Sequence, residues 1–162
     1  MVGIGYDIHR LVEGRPLYLG GIKFDHPKGL LGHSDGDVLI HAVIDAVLGA
    51  ANLGDIGSHF PPSDMRYQNI ASRELLKKTG EFILRAGFLI RSIDAVVIAE
   101  KPKILDRTAE IRQAIASCLS IPEEIVSVKG KTNEGLGEIG TGLAIAAYAV
   151  CEAGRIYDTP EG

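Results

Sequence analysis

The chain has 162 residues, of which 46% are hydrophobic and 23% charged, and its net charge is -4. This composition is typical of a globular domain that buries a core without disulfide support, and it argues against a basic nucleic-acid-binding surface. Cys118 and Cys151 are isolated and no apolar run is long enough to cross a bilayer, so we expect one cytoplasmic domain over residues 1–162, with no nucleic-acid or membrane partner.

The first elements in chain order are extended. Residues 2–11 predict a strand, and residues 16–24 predict a short extended segment with a Gly-Gly turn. Asp7 and His9 are two residues apart in the first strand, so their side chains point to the same side.

A buried helix follows at residues 37–51. Asp37, His41 and Asp45 are the polar residues of this otherwise apolar segment, and their spacing of four places them on one helix face. Since the other faces are apolar, an imidazole and two carboxylates are buried and need partners or a metal. The alternatives are that Asp37 caps the helix, that His41 is a satisfied core residue, and that Asp45 bonds to the backbone.

Asp7 and His9 from the strand and His41 from the helix form a candidate metal site. Two imidazoles and one carboxylate can hold a divalent ion and leave a coordination position for a substrate. A pair of acidic and histidine residues two apart also occurs often by chance, so the pattern by itself leaves both readings open.

The middle of the chain begins with a predicted loop at residues 52–68, whose length in a small domain indicates a functional segment. Residues 70–86 have the apolar spacing of a surface helix, which ends at Gly87. The β-branched segment 90–99 predicts a central strand that Pro102 terminates.

Residues 105–119 predict a second amphipathic helix, and residues 125–131 predict a strand that runs into a glycine-rich loop. The last element, residues 143–153, is ambiguous, because its alanines favour a helix whereas a strand would pair with the preceding one. Strands interleaved with helices indicate an α/β sandwich, in which a single mixed sheet is covered on one face by helices. Residues 155–162 are expected to be a loose tail.

Four motifs resemble the 2-C-methyl-D-erythritol 2,4-cyclodiphosphate synthase family. They are Gly-Tyr-Asp-Ile-His-Arg at residues 5–10, the histidine-containing helix segment 32–51, the loop segment 54–64, and Lys-Thr-Asn-Glu-Gly-Leu-Gly at residues 131–137. The resemblance covers nearly the whole chain, and it rests on all four motifs occurring in this order.

The resemblance implies a phosphorus-oxygen lyase of non-mevalonate isoprenoid precursor biosynthesis. Its substrate would be 4-diphosphocytidyl-2-C-methyl-D-erythritol 2-phosphate, whose 2-phosphate attacks the β-phosphorus to close the 2,4-cyclodiphosphate and release CMP. The attacking phosphate is already an anion, so catalysis would come from positioning and from screening of negative charge. The family is a homotrimer with active sites between subunits.

The resemblance also implies two metal ions. Asp7, His9 and His41 would hold Zn²⁺ at the β-phosphate. Glu134 would support a second ion, Mg²⁺ or Mn²⁺, together with the substrate phosphates.

By the same resemblance, His33 and Thr132 would stabilise the transition state. Ser34 would contact the phosphate, the segment 55–57 would hold the methylerythritol beside a flexible segment at 60–64, and Asp45 would face the ribose hydroxyls or order the site. The segment 99–105 would bind cytosine, and Lys131 and Asn133 would complete the ribose-diphosphate rim. The implied substrate-binding residues are Ser34, Asp45, Asp55, Ile56, Gly57, Phe60, Pro61, Pro62, Ser63, Asp64, Ala99, Glu100, Lys101, Pro102, Lys103, Ile104, Leu105, Lys131 and Asn133.

The glycine-rich loop departs from the family pattern. Many bacterial members carry an aromatic residue, an arginine and a glutamate near the threefold axis, where this chain has Glu138, Thr141 and Leu143. A carboxylate at Glu138 without an arginine would repel a phosphate, so these residues do not predict an axial anion site.

Two other functions fit the same residues. A zinc hydrolase would use the Asp-His-His group on a phosphate or ester, and it would release a linear alcohol and phosphate. A non-catalytic trimer would bind cytidine nucleotides without turning them over. Product analysis separates both from the synthase, which yields CMP and a cyclic diphosphate.

Overall fold

The computed structural model describes residues 1–158, which alternate between strands and helices. The strands in this range are β1 (Val2–Glu13), β2 (Leu17–Leu19), β3 (Ile22–Phe24), β4 (Lys28–Leu30), β5 (Phe88–Ile98), β6 (Val126–Lys131) and β7 (Ala144–Arg155). The α-helices are α1 (Val38–Ala50), α2 (Ile56–His59), α3 (Ser72–Arg85), α4 (Thr108–Leu119) and α5 (Gly137–Gly140). Single turns of 3-10 helix lie at Met65–Tyr67, Leu105–Arg107, Glu123–Ile125 and Ile156–Asp158.

The main sheet has five strands in the order β4-β1-β7-β5-β6. Strands β5 and β6 are parallel and the other neighbours are antiparallel, so the predicted mixed sheet is confirmed. The predicted extended segment is divided at its Gly-Gly turn into β2 and β3, which form a separate two-stranded hairpin with Gly20 and Gly21 at the turn. The fold therefore contains a small second sheet besides the single one that was predicted.

The last element is a strand, which resolves the ambiguity in the sequence. β7 lies between β1 and β5, so its backbone groups pair on both sides. Its side chains alternate, with Ile145, Ala147 and Ala149 buried beneath the helical layer and Tyr148 and Val150 on the other face. Pairing on both edges therefore overrides the helical propensity of the alanines.

Helix α1 packs directly on the backbone of β1. A Cβ atom added to Gly5 would lie 1.9 Å from the carbonyl oxygen of Ala42, and one added to Gly3 would lie 2.1 Å from that of Ala46. Only glycine permits so close an approach of helix and strand. This contact brings the polar face of α1 against the strand that carries Asp7 and His9.

The face of the sheet opposite the helices is exposed and apolar. Val2 and Ile4 are 70% and 69% exposed, and Tyr6 and Ile8 on the same strand are also exposed. Tyr148 continues this surface on β7, where its ring lies 4.6 Å from that of Tyr6. Helices therefore cover one face of the sheet, as predicted.

The remaining elements differ from prediction in detail. The predicted loop 52–68 contains the short helix α2 and a 3-10 turn, because Asp55 and Asp64 each cap a turn. Of the predicted tail, Arg155 ends β7 and the Ile156 amide donates to the Gly87 carbonyl oxygen at 2.9 Å, while residues 159–162 lie outside the described part. Among residues 1–158, no helix is both long and apolar enough to cross a membrane.

Candidate metal centre and flanking cavities

Asp7, His9 and His41 converge on one point. Asp7 Oδ2 lies 2.8 Å from His9 Nε2 and 2.9 Å from His41 Nδ1, and the two nitrogens are 3.2 Å apart. Ligand atoms around a tetrahedral zinc ion are separated by about 3.3 Å, given bonds of roughly 2.0–2.1 Å. The three donors therefore need to move only slightly outward to hold such an ion.

The local structure explains this convergence. Strand alternation points Asp7 and His9 to the same side of β1, and these residues pair with Ala147 and Ile145 of β7. His41 directly precedes Ala42, whose carbonyl oxygen lies against Gly5 of β1. The predicted group of metal ligands is confirmed as a group that can hold an ion.

The charges of the triad suit a cation. Burial alone would raise the pKa of Asp7, but hydrogen bonds with His41 and His9 outweigh burial and hold the pKa of this carboxyl well below its usual range. Burial would lower the pKa of His9, yet the hydrogen bond and charge of Asp7 raise it, helped by a backbone hydrogen bond with Leu31. Asp7 is therefore ionised at neutral pH, as a ligand must be, and His9 would have to give up any proton on its ligating nitrogen to hold a metal ion.

The other ring nitrogen of His41 faces buried hydroxyl groups. His41 Nε2 lies 3.0 Å from Ser72 Oγ and 3.1 Å from Ser34 Oγ. Ser72 Oγ donates to Asp35 Oδ1, and the Ser72 amide donates to Asp35 Oδ2 at 2.9 Å. Sequence reasoning missed Ser72 and Asp35, because a serine at the start of one helix gives no signal that it touches a histidine on another.

Asp37 is a helix cap, which confirms one of the alternatives weighed for it. Its side chain is fully buried and accepts from the amides of Ile40, Gly20 and Gly21 at 3.1, 2.9 and 2.6 Å. Burial raises the pKa of this carboxyl, an effect that nearby Asp35 increases and the three amides oppose. Asp37 therefore joins the start of α1 to the β2–β3 turn and makes no contact with the triad among the hydrogen bonds of residues 1–158.

Asp45 lies one turn beyond His41 at the rim of the site. Its Oδ1 accepts a hydrogen bond from the Ile56 amide at 2.7 Å. Asp45 therefore bonds to the backbone, which is the alternative that the sequence left open for it. Partial burial raises the pKa of Asp45, while the Ile56 hydrogen bond lowers it.

The triad opens into a cavity of about 340 Å³. Predicted site residues in its wall are Asp7, His9, His33, Ser34, His41, Asp45, Ile56, Gly57, Phe60 and Pro62. Further wall residues, not predicted, are Gly32, Met65, Tyr67, Gln68 and Leu75. Asp55 and Asp64 instead cap adjacent turns, with Asp64 also paired to Arg66, and neither these two nor Pro61 and Ser63 line the cavity.

A second cavity of about 160 Å³ lies beyond the ends of β5 and β6. Predicted residues in its wall are Ala99, Glu100, Pro102, Lys103, Ile104, Leu105, Lys131 and Thr132, joined by Gly130. It shares no wall residue with the first cavity. On one chain, the predicted site residues that line a cavity are thus divided between two separate cavities, whereas Lys101, Asn133 and Glu134 line neither.

Glu100 organises the loop beside the second cavity. Its Oε1 accepts from the amides of Asn133 and Gly135 at 2.9 and 3.3 Å. Between those amides Glu134 has a φ of 52°, in the left-handed region, and its carboxylate accepts from Thr132 Oγ1 at 2.9 Å. Within the described range, Glu134 belongs to no cluster of metal-binding side chains on this chain.

The residues that depart from the family pattern lie in the following turn. Glu138 is part of α5, and its carbonyl oxygen accepts from the Leu143 amide at 2.8 Å. Thr141 Oγ1 donates to the Gly137 carbonyl oxygen at 3.0 Å, which occupies its hydroxyl proton.

Comparison with known proteins gives one consistent family. The YgbB family matches residues 1–153. A 2-C-methyl-D-erythritol 2,4-cyclodiphosphate synthase from Gloeobacter violaceus is 53% identical over 149 residues, which are 92% of this chain and 91% of the relative.

Solved structures agree with this family. The bifunctional IspDF from Campylobacter jejuni matches with a TM-score of 0.91 and 40% identity, over 95% of this chain and 42% of that one, so this chain spans less than half of the bifunctional protein. A 2C-methyl-D-erythritol-2,4-cyclodiphosphate synthase in a form bound to CDP matches with a TM-score of 0.86 and 34% identity, over 95% of this chain and all of the other.

Proposed function

The chain belongs to the YgbB family, and we propose that it converts 4-diphosphocytidyl-2-C-methyl-D-erythritol 2-phosphate into 2-C-methyl-D-erythritol 2,4-cyclodiphosphate and CMP. The observation that carries the proposal is the Asp7, His9 and His41 triad at the wall of a cavity of about 340 Å³, a volume within the range of small-molecule binding sites. The enzyme is then a phosphorus-oxygen lyase of isoprenoid precursor synthesis.

The reaction depends more on positioning of the two phosphate groups than on acid-base catalysis. The attacking 2-phosphate is an anion, and CMP leaves as a phosphate, so no side chain has to remove a proton from the nucleophile. A bound Zn²⁺ ion would supply Lewis-acid screening of the β-phosphate, held by Asp7, His9 and His41.

The first cavity would hold the methylerythritol phosphate. Ser34 lies beside His41 in its wall, and Ile56 and Gly57 begin the short helix α2 along the same wall. His33 is also part of the wall, where a ring nitrogen can donate to an oxygen that gains charge in the transition state. We assign Asp45 to the ribose hydroxyl groups or to ordering the site, and residues 60–64 to the segment beside the methylerythritol, where Phe60 and Pro62 line the cavity.

The second cavity would bind the cytidine end of the substrate. Its wall combines a short turn at residues 99–105 with Lys131 and Thr132. Backbone groups of that turn would read the base, and Lys131 and Asn133 would lie along the ribose and diphosphate. Glu134 would support the second ion, Mg²⁺ or Mn²⁺, and Thr132 would stabilise the transition state from the same loop.

A homotrimer would bring the two cavities together. The two cavities share no wall residue on one chain, and the sheet leaves Val2, Ile4, Tyr6 and Tyr148 exposed on one apolar face. Exposed apolar surfaces of this kind mark protein interfaces. We infer that this face packs in the trimer and that the second cavity of one subunit completes the first cavity of its neighbour.

Phosphorus NMR tests the proposal. The protein is incubated with the proposed substrate and Mg²⁺, with and without a chelator, and we expect CMP and a cyclic diphosphate that depend on metal. The variant His41→Ala should bind no zinc and give no product, whereas Glu81→Gln, an exposed change on α3, should behave as the wild type. Linear alcohol and phosphate as products would indicate a hydrolase instead, and nucleotide binding without turnover would indicate a binding protein.

A further inference from the structure

His41 is held by different partners at its two ring nitrogens. Nδ1 faces Asp7 Oδ2 at 2.9 Å, on the side of the metal centre. Nε2 points the other way and lies 3.0 Å from the hydroxyl oxygen of Ser72. A histidine that binds a metal through Nδ1 must carry its proton on Nε2, so this second nitrogen needs an acceptor.

Ser72 is such an acceptor because its own proton is already used. Ser72 Oγ donates to Asp35 Oδ1, which leaves the lone pairs of the hydroxyl oxygen for the His41 Nε2 proton. With a metal on Nδ1, the hydrogen bonds would run in one direction, from the imidazole to the serine and from the serine to the carboxylate. The Asp35 carboxylate, at the end of this series of hydrogen bonds, favours that direction and strengthens each hydrogen bond.

The position of Ser72 is rigid. It is fully buried as the first residue of α3, and Asp35 Oδ2 accepts from its backbone amide at 2.9 Å. Ala71, the residue before α3, offers no side-chain cap, so Asp35 both caps α3 and orients the Ser72 hydroxyl. These hydrogen bonds thus connect His41 on α1 to the start of α3.

Ser34 is a weaker partner of the same nitrogen. Its hydroxyl oxygen lies 3.1 Å from His41 Nε2, but it also accepts from the Gly36 amide at 3.2 Å and lies 3.3 Å from Ser72 Oγ. Ser34 reaches the Asp35 carboxylate only indirectly, through the hydroxyl group of Ser72. His9 differs again, because its backbone hydrogen bond with Leu31 involves no side chain that a substitution can remove.

We propose that Ser72 and Asp35 are positioning residues of the metal centre, which fix the tautomer and ring orientation of His41 so that Nδ1 faces the metal. Neither residue touches the ion or the substrate in this assignment. The inference rests on the metal centre of the proposed function. It adds Ser72, which lies outside the family motifs, and Asp35, which lies in the 32–51 motif but was given no role at the metal centre by the sequence.

The test measures zinc affinity, by competition with a chromophoric chelator. Ser72→Ala removes the acceptor but keeps the backbone amide that Asp35 caps, and loss of such a partner weakens metal binding by about 10- to 100-fold. Thr79→Val is the matched control, because it removes another fully buried hydroxyl from α3, one that donates to the Leu75 carbonyl oxygen at 2.9 Å. Its zinc affinity should equal that of the wild type.

A second measurement does not depend on how the variants fold. In the zinc-loaded wild-type protein, nitrogen-proton NMR of the histidine rings should show a proton on His41 Nε2 that exchanges slowly with water. A third measurement uses the variants: in the visible spectrum of the cobalt-substituted protein, Ser72→Ala should shift the absorption bands, whereas Thr79→Val should leave them unchanged.

The outcomes separate this inference from the proposed function. Equal zinc affinity in Ser72→Ala and the wild type, or a wild-type His41 protonated at Nδ1, would overturn the positioning role while the metal centre stands. If the wild type bound no zinc, the proposed function itself would fail, and the positioning role with it.

Discussion

Gly5 and Ala42 are in backbone contact, since a Cβ atom added to Gly5 would lie 1.9 Å from the Ala42 carbonyl oxygen. Gly5 lies two residues before Asp7 on β1, and Ala42 directly follows His41 on α1. The contact that sets the distance between helix and strand therefore also sets the distance between metal ligands. Packing and site geometry cannot be changed independently here.

The first prediction concerns this contact. Gly5→Ala should push α1 away from β1, lower the free energy of unfolding by about 3 kcal/mol and separate His41 from Asp7, because overpacking at a backbone contact cannot be relieved by a rotamer change. Zinc affinity and denaturant unfolding measure both effects.

Gly49→Ala on the same helix is the control. The nearest atom to its added Cβ lies 3.7 Å away, so this change should stabilise the protein by about 0.5–1 kcal/mol through helix propensity. A Gly5→Ala protein with wild-type stability and zinc affinity would contradict the packing argument.

The second prediction concerns pH. Partial burial raises the pKa of Asp45 above its unfolded value, so the ionised carboxylate costs stability once the pH exceeds the raised pKa, and costs none below the unfolded value. Asp45→Asn keeps an oxygen for the Ile56 amide and should raise the melting temperature by about 2 °C at pH 7.

At acidic pH, below the unfolded pKa of an aspartate, the melting temperatures of Asp45→Asn and the wild type should coincide. The same variant should raise KM for the substrate if Asp45 faces the ribose. A stabilisation that is the same at pH 7 and at acidic pH would show that burial of the charge is not its cause.

The third prediction concerns the loop that carries Thr132 and Glu134. Glu100→Ala removes the carboxylate that holds the Asn133 and Gly135 amides, so activity should fall by about 10- to 100-fold through misplacement of that loop. Zinc affinity should not change, because Glu100 lines the second cavity and the triad lines the first.

Glu138→Ala tests the neighbouring turn with the same assay. Glu138 contributes its backbone carbonyl to that turn, and an alanine keeps the carbonyl, so turnover should be largely retained. Loss of turnover in Glu138→Ala, with zinc and oligomeric state unchanged, would assign its carboxylate a role in the site.

The fourth prediction concerns assembly. Ile4→Glu places a charge on the apolar sheet face, where Ile4 is 69% exposed in one chain, and should convert the proposed trimer to monomers. Activity should be lost while each monomer still binds zinc. Sedimentation velocity measures the change.

Leu84→Glu on α3 is the matched change, because Leu84 is 56% exposed on the helical side and away from the sheet face. It should leave the oligomeric state unchanged. A trimer that survives Ile4→Glu would place the subunit contact on another surface.

How much of this protein could be predicted differs between its elements. Strand β1 and helix α1 were predicted within two residues of their bounds, because alternation and helical periodicity are local properties of the sequence. Strand β7 was not, because its alanines favour a helix and only pairing with β1 and β5 makes it a strand.

The amino-acid sequence of this protein determined which side chains were available as ligands. It also determined on which face of a strand or helix each of them would lie. Asp7, His9 and His41 were therefore recognised before any tertiary contact was known. The tertiary structure alone decided that Asp37 caps a helix and does not join the three metal ligands, and that Ser72, held by Asp35, contacts His41. Such partners depend on how α1 and α3 pack, and the distances across that packing are not encoded in the spacing of residues along either helix.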